Sequence, residues 1–216
     1  MKKLLAMILA AMLLLSLVAC GGNNDTESDT DAGTETDAPV ELAYKSATEL
    51  LALVWAEMDN IIDDNGTPDD TTDDLTKSYF VGGMDAEGMQ VEGTPGEFVI
   101  GDGSMLDFMV GYPQAEVAKI DNASSLIFMM NQNTFTCGAY HFTNAEDISA
   151  MVNTIESNIQ SRMWMCGFPE KVVIIKVPGD YLISLFGHTE SFVDPFVEKV
   201  LATIDGAEVV LDNPIA

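Results

Sequence analysis

Basic side chains are scarce in this chain: 9 lysines and arginines face 35 aspartates and glutamates over 216 residues, a formal charge of −26. Binding to DNA or RNA needs cations that displace the counterions condensed on phosphate, so nucleic acid is excluded as a partner. Histidine is scarcer still, with His141 and His188 alone, each expected near a strand end. Neither H-E-x-x-H nor a paired C-x-x-C occurs, which leaves a zinc centre without its three or four closely spaced ligands. No G-x-S-x-G elbow is present, and Gly101-Asp102-Gly103-Ser104 lacks both the third glycine of a dinucleotide loop and the lysine of a phosphate loop. Cys137 and His141 fall four apart in an expected strand, about 13 Å along the chain, too far for a thiolate and its base. No cofactor is expected.

Long apolar runs are also missing, except at the start. Lys2 and Lys3 precede Leu4 to Val18, broken only by Ser16, and Leu17-Val18-Ala19-Cys20 closes the run with small residues before a cysteine. This is the layout of a secretory signal. At about 15 residues it falls short of the roughly 20 that span a bilayer core. The four closing residues resemble the lipobox of bacterial lipoproteins. The resemblance implies a signal peptide at 1–19 and a diacylglyceryl group on Cys20 that anchors the protein to the outer face of the cytoplasmic membrane. An ordinary signal that happens to end near a cysteine is the alternative. Two acyl chains meet the requirement for stable anchoring. Cleavage would remove two bases and no acid, leaving seven against 35 and a formal charge of −28.

After Cys20 the chain reads GGNNDTESDTDAGTETDAPV, with six acids, no base and little to bury. Such a segment does not offset the entropy of ordering, so 20–40 is expected to be a disordered acidic tether spanning roughly 25 Å. Residues 41–216 are expected to form a single α+β domain. Cys137 and Cys166 then remain as an extracellular pair that could form a disulfide, contributing about 3 kcal/mol by closing its loop. Two buried free thiols are the alternative.

Ser46-Ala47-Thr48-Glu49 has the form of a capping box, and Leu50, Leu51, Val54, Trp55 and Met58 follow at helical spacing, which predicts a helix over 46–59. Residues 63–74 are turn formers and charges, an exposed loop. Glycines interrupt 77–112, where short strands are expected without firm boundaries, and Pro113 opens a short helix to about Ile120. From Ser124 the pattern clears and occurs twice. Strands at about 125–130 and 135–142 lead into a helix over 145–165 that opens with Thr143-Asn144-Ala145-Glu146, another capping box. Strands at 172–177 and 181–186, joined by Pro178-Gly179, then lead into a helix that opens at Asp194-Pro195 and stops at Gly206. The expected architecture is α+β: an antiparallel sheet of four or more strands built from two ββα units, with helices packed on one face. The second hairpin, apolar on both sides, should be central.

This order of lipobox, acidic tether, early helix, a strand pair entering Asn144-Ala145-Glu146-Asp147 with Arg162 late in the helix, then Lys171 to Val177 and Pro178-Gly179-Asp180-Tyr181, resembles the Firmicutes lipoproteins grouped as domain of unknown function 4358. The resemblance covers roughly residues 110–205 and implies a cell-envelope location. It carries no catalytic residue, and Phe168-Pro169 departs from the tyrosine and proline common there.

Three residue sets could carry function. Aligning Gly66 with the EF-hand glycine places Asp63 and Asn65 at positions three and five but Ile61 at one and Thr72 at twelve, so Asp63, Asn65 and Asp69 remain only as a loose calcium candidate beside the plainer reading of a solvated acidic loop. Trp55, Trp164, Tyr112, Tyr140 and Tyr181 could line a carbohydrate or peptide site, although core packing accounts for them better. Met105, Met109, Met129, Met130, Met163 and Met165 could form an adaptable binding surface, although methionine more often fills a core. The expected function is a membrane-anchored, non-enzymatic module binding an envelope protein, a peptide or a small ligand. A carboxylate-dependent envelope enzyme and a passive structural or assembly lipoprotein are the alternatives.

Overall fold

Apolar side chains on both sides of the central strands set the architecture. In β8 (Lys171–Val177) and β9 (Tyr181–Gly187), Val173, Ile175, Ile183 and Leu185 enter one core, while Val172, Ile174, Leu182 and Phe186 enter another. A sheet buried on both faces needs a helix layer on each. The computed structural model describes residues 42–85 and 87–216, so the expected signal, Cys20 and tether lie outside the described residues. Glu41–Ala216 form one compact unit, and both cores are made from its own residues.

The elements run α1 (Ala47–Glu57), β1 (Ile61–Asp63), β2 (Leu75–Thr76), β3 (Phe80–Met84), β4 (Gln90–Glu92), β5 (Gly96–Glu97), α2 (Ser104–Val110), β6 (Ile120–Phe128), β7 (Phe135–Phe142), α3 (Ile148–Gln160), β8, β9, α4 (Asp194–Thr203) and β10 (Glu208–Pro214). β1 and β2 pair with each other around the acidic loop. The rest form one antiparallel sheet of eight strands in the order β10-β8-β9-β7-β6-β3-β4, with β5 also on β6. The α+β class, the antiparallel sheet, the two successive ββα units and the interior place of the second hairpin are all found.

Helix placement differs from the single layer expected. α1 and α4 bury Leu50, Leu51, Val54, Phe196 and Val200 in the first core; α2 and α3 bury Leu106, Val110, Met151 and Ile155 in the second. The helices therefore cover both faces, and the two ββα passes share an order of elements but send their helices to opposite sides. The reason lies in the strands: β7 and β9 are apolar on both sides, and either face alone would leave the other wet.

Local chemistry explains the ends of the helices. Ser46 Oγ accepts from the Glu49 amide (3.1 Å) and Glu49 Oε2 accepts from the Lys45 amide (2.7 Å), closing the expected cap of α1. Asn144 Oδ1 accepts from the Glu146 amide (3.2 Å) in a short 3-10 turn ahead of α3. α3 ends at Gln160 instead of running on to 165. Arg162 turns back to donate from Nη2 to the Phe108 carbonyl (2.6 Å), and its guanidinium stacks on Trp164 and Phe186, each 5.5 Å away. Those contacts draw the chain off the helix axis.

The glycine-rich stretch becomes legible through β6, which pairs with β5 at Ser124 and Ser125 and with β3 at Leu126 to Phe128. Where β3 gives way to β5, the two backbones touch. A Cβ on Gly83 would lie 2.6 Å from Gly96 O, and one on Gly82 would lie 2.5 Å from Gly96 N. Only residues without side chains permit that approach. β3 is held there by Phe80, whose ring lies 4.9 Å from Trp55, 5.6 Å from Phe128 and 5.7 Å from Phe135.

The cysteine pair is corrected. Cys137 and Cys166 are both free. Cys137 lies wholly buried in β7 within the α1/α4 core, where burial pushes its thiol well above the ordinary value, and Cys166 sits exposed in the segment after α3. Central strand and surface arm do not bring the two sulfurs together.

Candidate functional site, a methionine-lined groove

Helix cover on the second face is uneven. α3 packs on β8 and β9, and the seven-residue α2 reaches β7. Over β3, β4 and the end of β6 a groove remains. It consists of three adjoining cavities of about 250, 50 and 440 Å³. The first two share Met84, Phe98 and Met105, and the second and third share Gln90 and Met109. Gly82 and Gly83 form part of the narrow middle, so the close approach of β3 and β5 shapes its floor.

The groove continues onto the surface. Nine of the twelve large apolar side chains exposed among the described residues fall in 89–108, 129–130 and 163–168. Hydrogen bonds join these segments. Asn131 Nδ2 donates to the Cys166 carbonyl (2.7 Å), and Asn133 Nδ2 donates to the Met165 and Gly167 carbonyls (2.8 and 3.0 Å). The Arg162–Phe108 bond ties α2 to the arm formed by 161–170. Met163 is 92% exposed and Met165 77%, while Trp164 between them turns inward onto Phe186 at 5.3 Å. Of the ten methionines after Met12, eight lie in the groove or on this surface; Met58 and Met151 do not. Thioethers are flexible and polarisable, so such a surface adapts to an apolar ligand of variable shape.

Charge around the groove is negative. Glu92 and Asp102 line it, and no lysine, arginine or histidine does. Ser104 donates to Asp102 from its hydroxyl (2.7 Å) and its amide (3.0 Å), which holds that carboxyl below the usual carboxylate range. At the far end, burial pulls the Arg162 guanidinium below its ordinary value, with Asp107 opposing. Arg162 Nη1 and Trp164 Nε1 are buried and have no hydrogen-bond partner among the described residues.

The other sequence candidates separate from this site. Asp63 Oδ1 accepts from the Asn65 amide (2.9 Å) and Asp64 Oδ1 from the Gly66 amide (2.9 Å), so the loop spends its carboxylates on its own backbone. Asp63 and Asp64 line an open depression of about 400 Å³ with Glu190, but Asp69 does not. Among the described residues no three His, Cys, Asp or Glu side chains converge on a metal position. Asp74 is the carboxyl raised above its ordinary value, by burial first and then by Asp73, Asp64 and Asp70, and it lines none of these cavities. His141 Nδ1 pairs with Asp121 Oδ1 at 2.6 Å, against Tyr181. Trp55 donates to the Gly93 carbonyl (2.9 Å) from within the core, and Tyr112, Tyr140 and Tyr181 are buried.

Sequence reasoning named six of the eight methionines and missed Met84 and Met89, together with Phe108 and Phe168. The signal available was the alternation in Arg162-Met163-Trp164-Met165, which is strand-like and incompatible with a continuing helix. Comparison of the chain with protein-family models, with curated proteins and with solved structures finds no match.

Proposed function

We propose that this protein is a membrane-tethered binding module of the cell envelope, held by a lipid on Cys20, whose methionine-lined groove takes a cationic amphipathic segment of a partner protein. The gathering of exposed apolar side chains from two separate segments, Val99 and Met105 with Met129 and Met130, along one groove, with a third exposed segment hydrogen-bonded to the β6–β7 turn beside it, supports this reading. Exposed apolar patches rimmed by polar residues mark interaction sites on soluble proteins. The occupant follows from charge. A groove bordered by Glu92 and Asp102, on a chain with 35 acids, favours a segment with lysines or arginines on one face and leucines or aromatics on the other. The same charge opposes a second copy of this chain as the occupant. The carboxylate-enzyme reading lacks support at the groove, which brings together one carboxyl at each end and no base.

The test is fluorescence anisotropy of a labelled amphipathic helical peptide bearing lysines, against one with glutamates in their place. The lysine peptide should bind, more weakly as salt rises, and Met105→Gln/Met129→Gln should weaken it at least tenfold. Equal binding of both peptides, binding indifferent to the substitutions, or no binding of the lysine peptide overturns the reading. For the anchor, fatty-acid labelling should tag the full chain and not Cys20→Ser; an untagged parent chain defeats that part alone.

A further inference from the structure

All six methionines exposed among the described residues, Met89, Met105, Met129, Met130, Met163 and Met165, belong to the groove or to the surface that continues it. Met151 is wholly buried in the second core, and Met58 is half-buried against the first. Met105 lines two of the three cavities, and Met129 and Met130 line the third. Met105 is 42% exposed, Met129 49% and Met130 68%, so these side chains stay open to reagents in solution until a partner covers them. Oxidation of methionine at the surface therefore acts on the docking surface and spares the cores.

A peroxide oxidises a thioether by two electrons: one oxygen atom passes to sulfur, the S–O bond forms as the O–O bond breaks, and hydrogen peroxide leaves as water. The sulfoxide is polar and accepts hydrogen bonds where the thioether was apolar. Among the residues lining the cavity that Met105 shares with Asp102, Asp102 has the one polar side chain, and a carboxylate has no proton to donate. The apolar face of a ligand laid over a sulfoxide there would bury its oxygen without a partner. Met129 and Met130, adjacent in the turn between β6 and β7, place two more oxidisable side chains at the other end of the groove. We infer, on the strength of the docking proposed above, that occupancy of the groove is controlled by oxidation. Oxygen transfer from a peroxide to Met105, Met129 and Met130 releases the partner segment, and methionine sulfoxide reductases, which return the oxygen as water with two electrons from a dithiol, restore its binding.

Residues 41–216, which contain both cores, are used with Cys166→Ser to remove the exposed thiol. The protein is treated with hydrogen peroxide, mapped by peptide mass spectrometry, and titrated with the labelled lysine peptide before and after treatment. Met105, Met129 and Met130 should each gain one oxygen atom and Met151 none. Peptide affinity should fall at least about tenfold, as expected for one buried acceptor left unpaired, with thermal unfolding unchanged. Reductases of both stereospecificities, supplied with dithiothreitol, should restore it. In Met105→Leu/Met129→Leu/Met130→Leu, whatever its starting affinity, treatment should leave binding where it was. Oxidation of the three positions with affinity retained overturns the inference and leaves docking standing. So do resistance of the three positions to peroxide, an equal loss in the leucine variant, a loss the reductases do not reverse, and a loss accompanied by oxygen on Met151. Failure of the untreated protein to bind the peptide defeats the docking reading itself, and control by oxidation with it.

Discussion

Replacing Gly96 by alanine tests whether the contact of β3 with β5 holds the groove together. The new Cβ would lie 2.7 Å from Gly83 O, 2.9 Å from Gly83 C and closer still to Gly83 N. All three are backbone atoms, so no rotamer change relieves the clash. β3 cannot simply retreat, because Phe80 is fixed among Trp55, Phe128 and Phe135 and the strand is paired with β6. Overpacking of this kind costs about 1–3 kcal/mol, and the rigid surroundings place Gly96→Ala near about 3. Against this stands a gain of about 0.4–1 kcal/mol from the stiffer unfolded chain. The net loss of about 2–3 kcal/mol should lower the melting temperature by roughly 5–10 °C for a domain of this size. Urea unfolding followed by tryptophan emission measures it, since Trp55 reports on Phe80 directly. An unchanged or raised midpoint would mean that only the entropy term operates, and would refute the close approach. Because Gly83 belongs to the middle cavity, the variant should also weaken peptide binding in proportion to the opening of β3 from β5.

Three further outcomes are expected. Burial holds the Tyr44 hydroxyl up at about 12, and Tyr112, Tyr140 and Tyr181 are raised in the same sense. Above pH 10 the unfolded chain therefore binds fewer protons than the folded one, and stability should fall between pH 10 and 12; a urea midpoint as high at pH 11 as at pH 8 would contradict this. With a chromogenic disulfide reagent, one thiol, that of Cys166, should react in the native protein and both in denaturant. A chain with no native-state reactivity would argue for a bonded or buried Cys166. Lys171 Nζ pairs with Asp194 Oδ1 (2.8 Å) and Asp212 Oδ2 (3.0 Å), joining β8 to α4 and to the edge strand β10. Lys171→Met should cost about 1 kcal/mol at low salt and less at high salt, and a difference that grows with salt would be inconsistent with ion pairing.

The second half of the chain was readable because its apolar periods are long and its turns carry their own chemistry. Phe135–Phe142, Lys171–Val177 and Tyr181–Gly187 follow the expected strands closely, and α4 starts at Asp194, although a π turn over Thr189–Val193 already leads into it and Asp194 is its first helical residue instead of its cap. The stretch 77–112 was not readable. The strands there are two to five residues long, and their places are set by β6, some thirty or more residues away, rather than by local preference. β10 escaped notice because its few apolar side chains are split between the faces, Val209 packing on the first core and Leu211 on the second across a shift in register. The end of α3 was misjudged because Met163 falls four residues after Ile159 and fits a helical face; its exposure depends on Arg162 reaching α2, a contact no local window contains. For the same reason the methionines were legible as residues and not as a site. Core and surface methionines have the same spacing, and only the extent of helix cover tells them apart.

That cover is where fold and function meet. Both faces of the sheet are apolar, and each has two α-helices, of 11 and 10 residues on the first face and 13 and 7 on the second, so a nearly equal length of helix is divided unevenly on the second face. The shortfall is in α2, which Gly103 and Gly111, both at positive φ, confine to two turns. Val81, Phe98 and Ile127 lie buried beneath the groove, and the lining side chains around them include Met84, Met105, Met109, Met129 and Met130. An amphipathic segment of two or three turns laid beside α2 would complete the layer as another helix of this protein would have done, and the leucine or aromatic face of such a segment would replace solvent over Val99, Met105, Met129 and Met130. The groove is thus the unfilled place of a helix in a two-faced sheet, which is why a helical ligand fits the reading better than a sugar or a flat surface.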